Sequence, residues 1–383
     1  MIYRGTPTKD GRCWYFRKSK NGVQYNSKKF LTKEECAKAE SKFILKNDTP
    51  INKRFDIIAE EYLDYVKENR KISTYNSYKK AYRTQLKPYF DKTYINTINT
   101  QSIAKWHEYM LNKTQLKSNL KETDKPLSTA YLNKLYHILK NIFDYAIKNY
   151  ELEINPVSMY GGFENKRGII KKDNKKTITF EEFKKFISVI DDPLWFAFFN
   201  LIFYADPRKS EAMALHWNKI NFKDKSIIFD TTLQSDIKGG VIETTNKTDK
   251  PRVVIMNDEL YNVLLNWYDN QKQYKDFKES WYVFGGTIPL AKTTIDRKKH
   301  HYFQLSGVEE ITMHQFRHSL TTILIQEYIK AQQQNNAKID KYAFLSALAN
   351  RNGHTIETMM KYYATLFPDT EQSQVVDLLN NLK

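Results

Sequence analysis

The residues of this chain that could do chemistry fall in four short stretches. In "HQFRHSL", His314, Arg317 and His318 stand at i, i+3 and i+4, so on a helix they share one face. A guanidinium flanked by imidazoles makes a poor core face unless it meets an anion. Zinc clasped by the two histidines is the obvious rival. However, no Glu occupies the HExxH position, and the Arg between the histidines would repel a dication. In "DPRKSEAMALHW", Asp206 is placed to cap a helix and Pro207 suits its first position, which puts Arg208 in the first turn. Glu211 then lies three residues on, where it can hold the guanidinium; the plain alternative is a surface Arg–Glu pair. "TTNKTDKPRVV" sets Lys247 in the turn of a strand pair, where a lysine reaches a ligand or simply water. Lastly, "NGHTIETMMKYYATL" places His354 nine residues before Tyr363, with Tyr362 adjacent. Neighbouring helical residues point about 100° apart, so both tyrosines cannot serve one site.

Together these groups suit phosphoryl transfer without a metal or nucleotide cofactor. A phosphodiester passing through a five-coordinate transition state gathers negative charge on its non-bridging oxygens, and two Arg forks can neutralise and orient them. A Lys or His can protonate the leaving 5′-oxygen. A tyrosine hydroxyl can attack once an imidazole draws off its proton or cations stabilise the phenolate. Nine residues of continuous helix turn through roughly 900°, which would put His354 and Tyr363 on opposite sides. The expectation is therefore a break: His354 precedes a short helix and Tyr363 lies on another.

The ordered set of Arg208, Lys247, His314 and Arg317 in "HQFRH", His354 in "GH", and a tyrosine nine residues later resembles the tyrosine recombinase, or phage integrase, family along the whole chain. By that resemblance Tyr363 is the nucleophile and Tyr362 a packing neighbour. Arg208 and Arg317 clamp the scissile phosphate, Lys247 is the general acid, and His314 assists proton transfer to and from Tyr363. His354 hydrogen-bonds a non-bridging oxygen, Glu211 buttresses Arg208, and His318 supports its helix. "ADPR" stands where the family has T-G-[LM]-R. Asn352 stands where a Leu commonly precedes the Gly-His pair, which reads as a packing change. The resemblance implies a site-specific recombinase of a mobile element, working through a 3′-phosphotyrosyl intermediate. Its partners would be double-stranded DNA at core and arm-type sites, sister subunits in a homotetramer, an excision factor and a host DNA-bending protein.

These residues need elements to position them. Residues 1–50 read as a small module: "RCWYFRKSK" and "VQYNSKKF" are strands around Asn21-Gly22, and Thr32 caps a following helix. Arg17, Lys18, Lys20, Lys28 and Lys29 on that ribbon are candidates for a DNA groove; a solvated charged sheet is the bland alternative. Residues 52–157 read as helical. One face carries Phe55, Ile58, Ala59, Tyr62 and Val66, and a later one Leu132, Leu135, Leu139, Ile142, Phe143 and Ala146. Between them lie Lys79, Lys80, Arg83 and Lys87 as candidate phosphate contacts. Residues 158–176 read as a linker, basic through Lys166, Arg167, Lys171 and Lys172. Residues 177–383 read as a mixed α+β domain whose first helix opens at Thr179. Strands are expected in "KINFKDKSIIFDTT" and "PRVVIMND", and helices return near Met313. The expected fold class is thus multidomain and mainly α with small β-sheets. Val375, Val376, Leu379 and Leu382 make an apolar stripe in the tail, which the resemblance sends onto a neighbouring subunit.

Charge and composition narrow the field. The chain has 383 residues and a net charge of +17, which points to a polyanion, and with no isolated amphipathic anchor helix the reading is nucleic acid rather than a membrane. No apolar run is long enough to span a bilayer, and no phosphate-binding glycine loop is present. Cys13 and Cys36 have neither metal-ligand nor redox spacing; buried free thiols in a reducing cytoplasm suit them. Two rivals share the motifs: a type IB topoisomerase, acting as a monomer on DNA lacking any special site, and a DNA-binding regulator with a silent catalytic domain.

Overall fold

A computed structural model of the chain describes residues 2–20, 23–48, 53–116, 122–150, 152–164, 176–236, 240–245, 251–334 and 340–363. The fold is mainly α with small antiparallel sheets, as the sequence implies, and divides into two compact units, residues 1–169 and 170–383. No helix among the described residues is long and apolar enough to cross a membrane.

The first unit begins with three antiparallel strands, β1 (Ile2–Arg4), β2 (Trp14–Lys20) and β3 (Val23–Asn26), followed by α1 (Lys33–Asp48). Thr32 caps α1 by accepting from the Glu35 amide (3.1 Å), as its type and place predict. Cys13, Phe16 and Cys36 are buried, and both cysteines are free thiols. Strand β1, too short for a readable alternation, was not anticipated.

Helices α2 (Phe55–Asn69), α3 (Ile72–Ala81), α4 (Lys87–Phe90), α5 (Thr100–Leu111), α6 (Thr129–Tyr150) and α7 (Pro156–Tyr160) complete the unit. Phe55, Ile58, Ala59, Tyr62 and Val66 meet Leu132, Leu135, Leu139, Ile142, Phe143 and Ala146 in one core. The apolar stripes read from the sequence are therefore the faces that pack. A π turn at Tyr82–Leu86 joins α3 to α4, with the Lys87 amide donating to the Tyr82 carbonyl. Pro88 follows at once and has no N–H for the carbonyl four residues back, a recognised cause of such widening. The unit also holds a ribbon, β4 (Thr114–Leu116) paired with β5 (Glu122–Pro126), in a segment expected to be wholly helical. These strands are too short and polar to announce themselves.

In the second unit, α8 (Phe180–Ser188) starts behind Thr179, whose hydroxyl and Glu182 form a reciprocal capping box. Helix α9 (Pro193–Tyr204) is apolar on nearly every side, as a helix enclosed by others must be. Phe203 stacks on Phe183 at 3.6 Å within the main core. After α10 (Lys209–Met213) come β6 (Ile220–Asn221), β7 (Ser226–Phe229), β8 (Thr231–Ser235), β9 (Val241–Thr245) and β10 (Arg252–Ile255). The order β10-β7-β6 makes one sheet and β8-β9 a separate hairpin. Helices α11 (Asp258–Lys272) and α12 (Lys292–Ser306) then precede α13 (Met313–Gln333), α14 (Lys341–Asn352) and α15 (Ile356–Tyr363). Helices were expected to resume only at Met313. Helix α12 escaped because "KTTIDRKKHHYFQLS" is strongly polar; what holds it is the burial of Ile295, Tyr302 and Phe303, and of Lys299, which donates to the Ile311 carbonyl (2.7 Å) and pairs with Glu310.

Candidate active site

Helix α9 delivers the chain to a turn in which Asp206 adopts a left-handed conformation, φ 56°. Asp206 was expected to cap the next helix. Instead Arg208 occupies the N-cap position, α10 begins at Lys209, and the Asp206 side chain turns into the protein, where it is completely buried. Short polar side chains tolerate the left-handed region better than others do, which is one reason an Asp can stand there.

Arg208 is fixed by the carboxylate expected to hold it. Its Nη1 donates to Glu211 Oε1 (2.6 Å), and its backbone amide donates to Glu211 Oε2 (2.9 Å). The second carboxylate oxygen also accepts from Arg252 Nη2 (2.7 Å), so Glu211 bridges two guanidiniums while only 2% exposed. Burial pushes its pKa up, but Arg252 and Arg208 outweigh that and hold it below the usual range. Arg252 also donates from Nη1 to the Arg351 carbonyl, and its guanidinium lies over the Phe229 ring. Sequence reasoning passed over Arg252. The signal lay in "PRVV": Val254 faces inward, so by strand alternation Arg252 does too, and a buried Arg demands an anion. Glu211→Ala leaves both guanidiniums without their shared carboxylate. We expect a loss of about 3–5 kcal/mol in urea unfolding of this unit; Glu211→Gln, which keeps the shape, should lose less.

Helix α13 opens at Thr312, where a capping box with Gln315 sets the frame for "HQFRH". Arg317 projects inward and is 2% exposed, with Nη1 donating to the Asp206 carbonyl (2.9 Å) and Nε lying 3.7 Å from Asp206 Oδ2. His314 is exposed in the first turn, its ring edge-on to His318 at 4.6 Å. His318 was expected to support the helix alone. Its Nδ1 is in addition 2.5 Å from the Tyr363 hydroxyl, within hydrogen-bond reach of this phenol.

Helix α14 stops because Gly353 takes the left-handed conformation, φ 57°. A Cβ there would also lie 3.2 Å from Arg252 Cδ, so any larger residue would strain the reversal and make the Arg252 side chain give by a few tenths of an ångström. The Gly353 carbonyl faces Arg208 Nη2 (3.5 Å), and His354 follows directly. Burial first, then the charges of Arg317 and Arg208, push the His354 pKa down to about 4, so the imidazole is neutral at physiological pH. Its Nδ1 has no hydrogen-bond partner among the described residues. The expected helix break is present and His354 precedes a short helix, as expected, but Tyr363 ends that same helix, α15, rather than lying on another. Tyr363 is 4% exposed and packs on Ile325, Leu348, Ala349 and Met359. Burial raises its pKa to about 12, so the resting phenol is protonated.

The structure thus brings Arg208, Glu211, Arg317, His354, His318 and Tyr363 into one region of the second unit, with His314 at its edge. Lys247 lies outside the described residues, as do Lys166, Arg167, Lys171, Lys172 and the tail stripe. Among the basic candidates of the first unit, Arg17 lies over Tyr3 and Tyr15, Lys18 pairs with Glu40, and Lys29 donates to the Thr6 carbonyl. Lys28 is exposed, and the side chain of Lys20 lies outside the described set. Lys79 covers the Tyr75 ring, Lys87 pairs with Glu60 (3.2 Å), and Lys80 and Arg83 are exposed. Among the described residues no cluster of three or more His, Cys, Asp or Glu is able to hold a metal ion.

Comparison with known proteins follows the same division. The Phage integrase family matches residues 176–334, a span containing Arg208, Lys247, His314 and Arg317. The Phage integrase, N-terminal SAM-like domain matches residues 55–111. The chain is 26% identical over 344 residues to the ICEBs1 integrase of Bacillus subtilis (strain 168), covering 86% of this chain and 83% of that protein. Its fold is similar to that of the Tn1549 transposon integrase in complex with transposon right end DNA: TM-score 0.61, 20% identity, 84% of this chain and 99% of that one. It is also similar to a lambda integrase tetramer bound to a Holliday junction, at TM-score 0.52 and 14% identity, covering 92% and 95%.

Proposed function

Because the chain belongs to the phage integrase family of tyrosine recombinases, enzymes that cut and rejoin DNA at specific sites, we propose that it is the integrase of a mobile element. The observation that carries this reading is the meeting of the Tyr363 hydroxyl with His318 on the same helix that aims Arg317 at the Arg208 cluster.

In the proposed reaction the Tyr363 oxygen attacks the scissile phosphorus, and the bond from phosphorus to the 5′-oxygen breaks. Arg208 and Arg317 neutralise the non-bridging oxygens, where charge accumulates in the transition state. His354, neutral and with Nδ1 at hand, hydrogen-bonds one of them. Lys247 gives a proton to the departing 5′-oxygen, and His314 assists removal of the phenol's proton. His318 holds the resting phenol, which must leave its packed position to attack. The product is a 3′-phosphotyrosyl bond and a free 5′-hydroxyl. Attack by the hydroxyl of a partner strand reverses each step, so bond energy is conserved without ATP, and the guanidiniums supply the charge that a divalent ion supplies elsewhere.

The same reading assigns residues 1–50 to arm-type DNA, 52–157 to core DNA, 158–176 to a linker and 177–383 to catalysis. Arg17, Lys18, Lys20, Lys28 and Lys29 serve the first; Lys79, Lys80, Arg83 and Lys87 the second; Lys166, Arg167, Lys171 and Lys172 the linker. Four copies assemble on DNA, with the tail exchanged between neighbours, and an excision factor and a host bending protein set direction. The similarity to DNA-bound integrases supports the DNA partner and the multimer. The test is a nicked duplex spanning the element's end, from which the cut strand's short 5′-hydroxyl fragment diffuses away. We expect a covalent adduct that forms equally well in EDTA. Adduct formation on any DNA, with relaxation of a plasmid lacking the element's end, would favour the topoisomerase reading instead.

A further inference from the structure

A carboxylate packed among arginines that serve a phosphate needs a reason to be there. Asp206 is completely buried, and its conformation is one that few non-glycine residues adopt. Its backbone carbonyl accepts from Arg317 Nη1 (2.9 Å) and lies 3.4 Å from Arg252 Nη1, while Oδ2 lies 3.7 Å from Arg317 Nε. Asn352, read from the sequence as a packing change, is its partner. In the amide orientation that satisfies its neighbours, Nδ2 donates to Asp206 Oδ2 (2.8 Å) and to the Leu348 carbonyl (3.2 Å), and the amide oxygen meets the Thr321 hydroxyl (2.8 Å). The two departures from the family pattern, "ADPR" and "NGH", therefore meet in space. Asp206 Oδ1 and Arg317 Nη2 have no hydrogen-bond partner among the described residues.

We propose that Asp206 is a positioning residue that holds Arg317 while the site is empty and takes up a proton when a DNA phosphate docks on the arginines. This rests on Arg208 and Arg317 being the phosphate clamp. Every element packed around Asp206 brings a titratable or charged group towards it: Arg317 from α13, Arg252 from β10, Arg351 from α14, Glu211 from α10 and Tyr363 from α15. In the empty site the cations partly offset the cost of burying its charge, and its pKa stands at about 7, raised first of all by burial. A phosphate brings a second anion to the same guanidiniums. A like charge nearby favours the neutral acid, so docking draws a proton onto Asp206. The carboxyl then ceases to compete for Arg317, and the guanidinium turns its full charge to the phosphate, while the backbone carbonyl continues to hold Nη1 in place.

Proton uptake is measured directly by titration calorimetry at pH 7.5 in two buffers of different ionisation enthalpy. The protein carries Tyr363→Phe so that no chemistry intervenes, and the probe is the duplex from the element's end. We expect uptake of about half a proton or more per bound protomer. It should vanish with Asp206→Asn, and also when the scissile phosphate is a neutral methylphosphonate. Asn352→Leu removes a donor to the charged form, so the midpoint of uptake against pH should move upward; this variant decides the matter if Asp206→Asn fails to fold. Equal uptake with and without Asp206→Asn would place the proton on a histidine and overturn the inference, as would the absence of uptake in the parent. If the methylphosphonate duplex binds as tightly as the natural one, the clamp assignment itself is wrong.

Discussion

Tyr363→Phe abolishes the covalent protein–DNA adduct while leaving affinity for the uncleaved duplex within about twofold. The change removes one oxygen from a side chain already packed against Ile325, Leu348, Ala349 and Met359, so the fold loses little. The hydrogen bond to His318 is lost, at a cost of about 1 kcal/mol. The reaction loses its only attacking atom, and removing a nucleophile costs on the order of 10⁴-fold or more in rate. Tyr362→Phe should keep adduct formation near the parent level. Gel-shift affinity and denaturing-gel yield, measured on the same samples, separate binding from chemistry; an adduct persisting in Tyr363→Phe at more than about one part in a hundred contradicts the assignment.

Arg317→Lys should slow single-turnover cleavage by about 10²–10³-fold with a much smaller change in duplex affinity. A lysine keeps the positive charge but has no planar fork, and that fork donates to the Asp206 carbonyl and, in the proposed reaction, clamps the phosphate as well. A binding contact made equally in ground and transition states would weaken affinity and rate together. A clamp whose charge matters most as the five-coordinate phosphorus forms should act chiefly on rate. Cleavage within about threefold of the parent would show that Arg317 merely stabilises the fold through its buried contacts.

Much of this site was legible because its chemistry follows local spacing. His314, Arg317 and His318 at i, i+3 and i+4 are a helix-face argument, Arg208 meets Glu211 three residues on although it stands at the N-cap rather than in the first turn, and the helices form where the caps Thr179 and Thr312 stand. The part that was not legible depends on long-range burial. Nothing near Asp206 in the chain reveals that it faces Arg317 in "HQFRH", because that contact is set by the left-handed turn at the end of α9. Arg252 and Arg351 look like ordinary surface cations until the sheet and α14 enclose them around Glu211 and the Tyr204 carbonyl. The partner of His318 was hidden for the same reason: spacing gives its face, but only the return of α15 shows what that face meets. The short strands β1, β4 and β5, and the polar helix α12, were hidden because their stability comes from neighbours rather than from their own periodicity.

The central claim is that one phenol, at residue 363, becomes joined to DNA. The adduct trapped on the nicked duplex, digested with protease and nuclease, yields a nucleotide-bearing peptide whose fragmentation spectrum locates the link. The account predicts a single 3′-phosphodiester on Tyr363; a link to Tyr362 or to any other residue, or to the 5′ end of the strand, contradicts it.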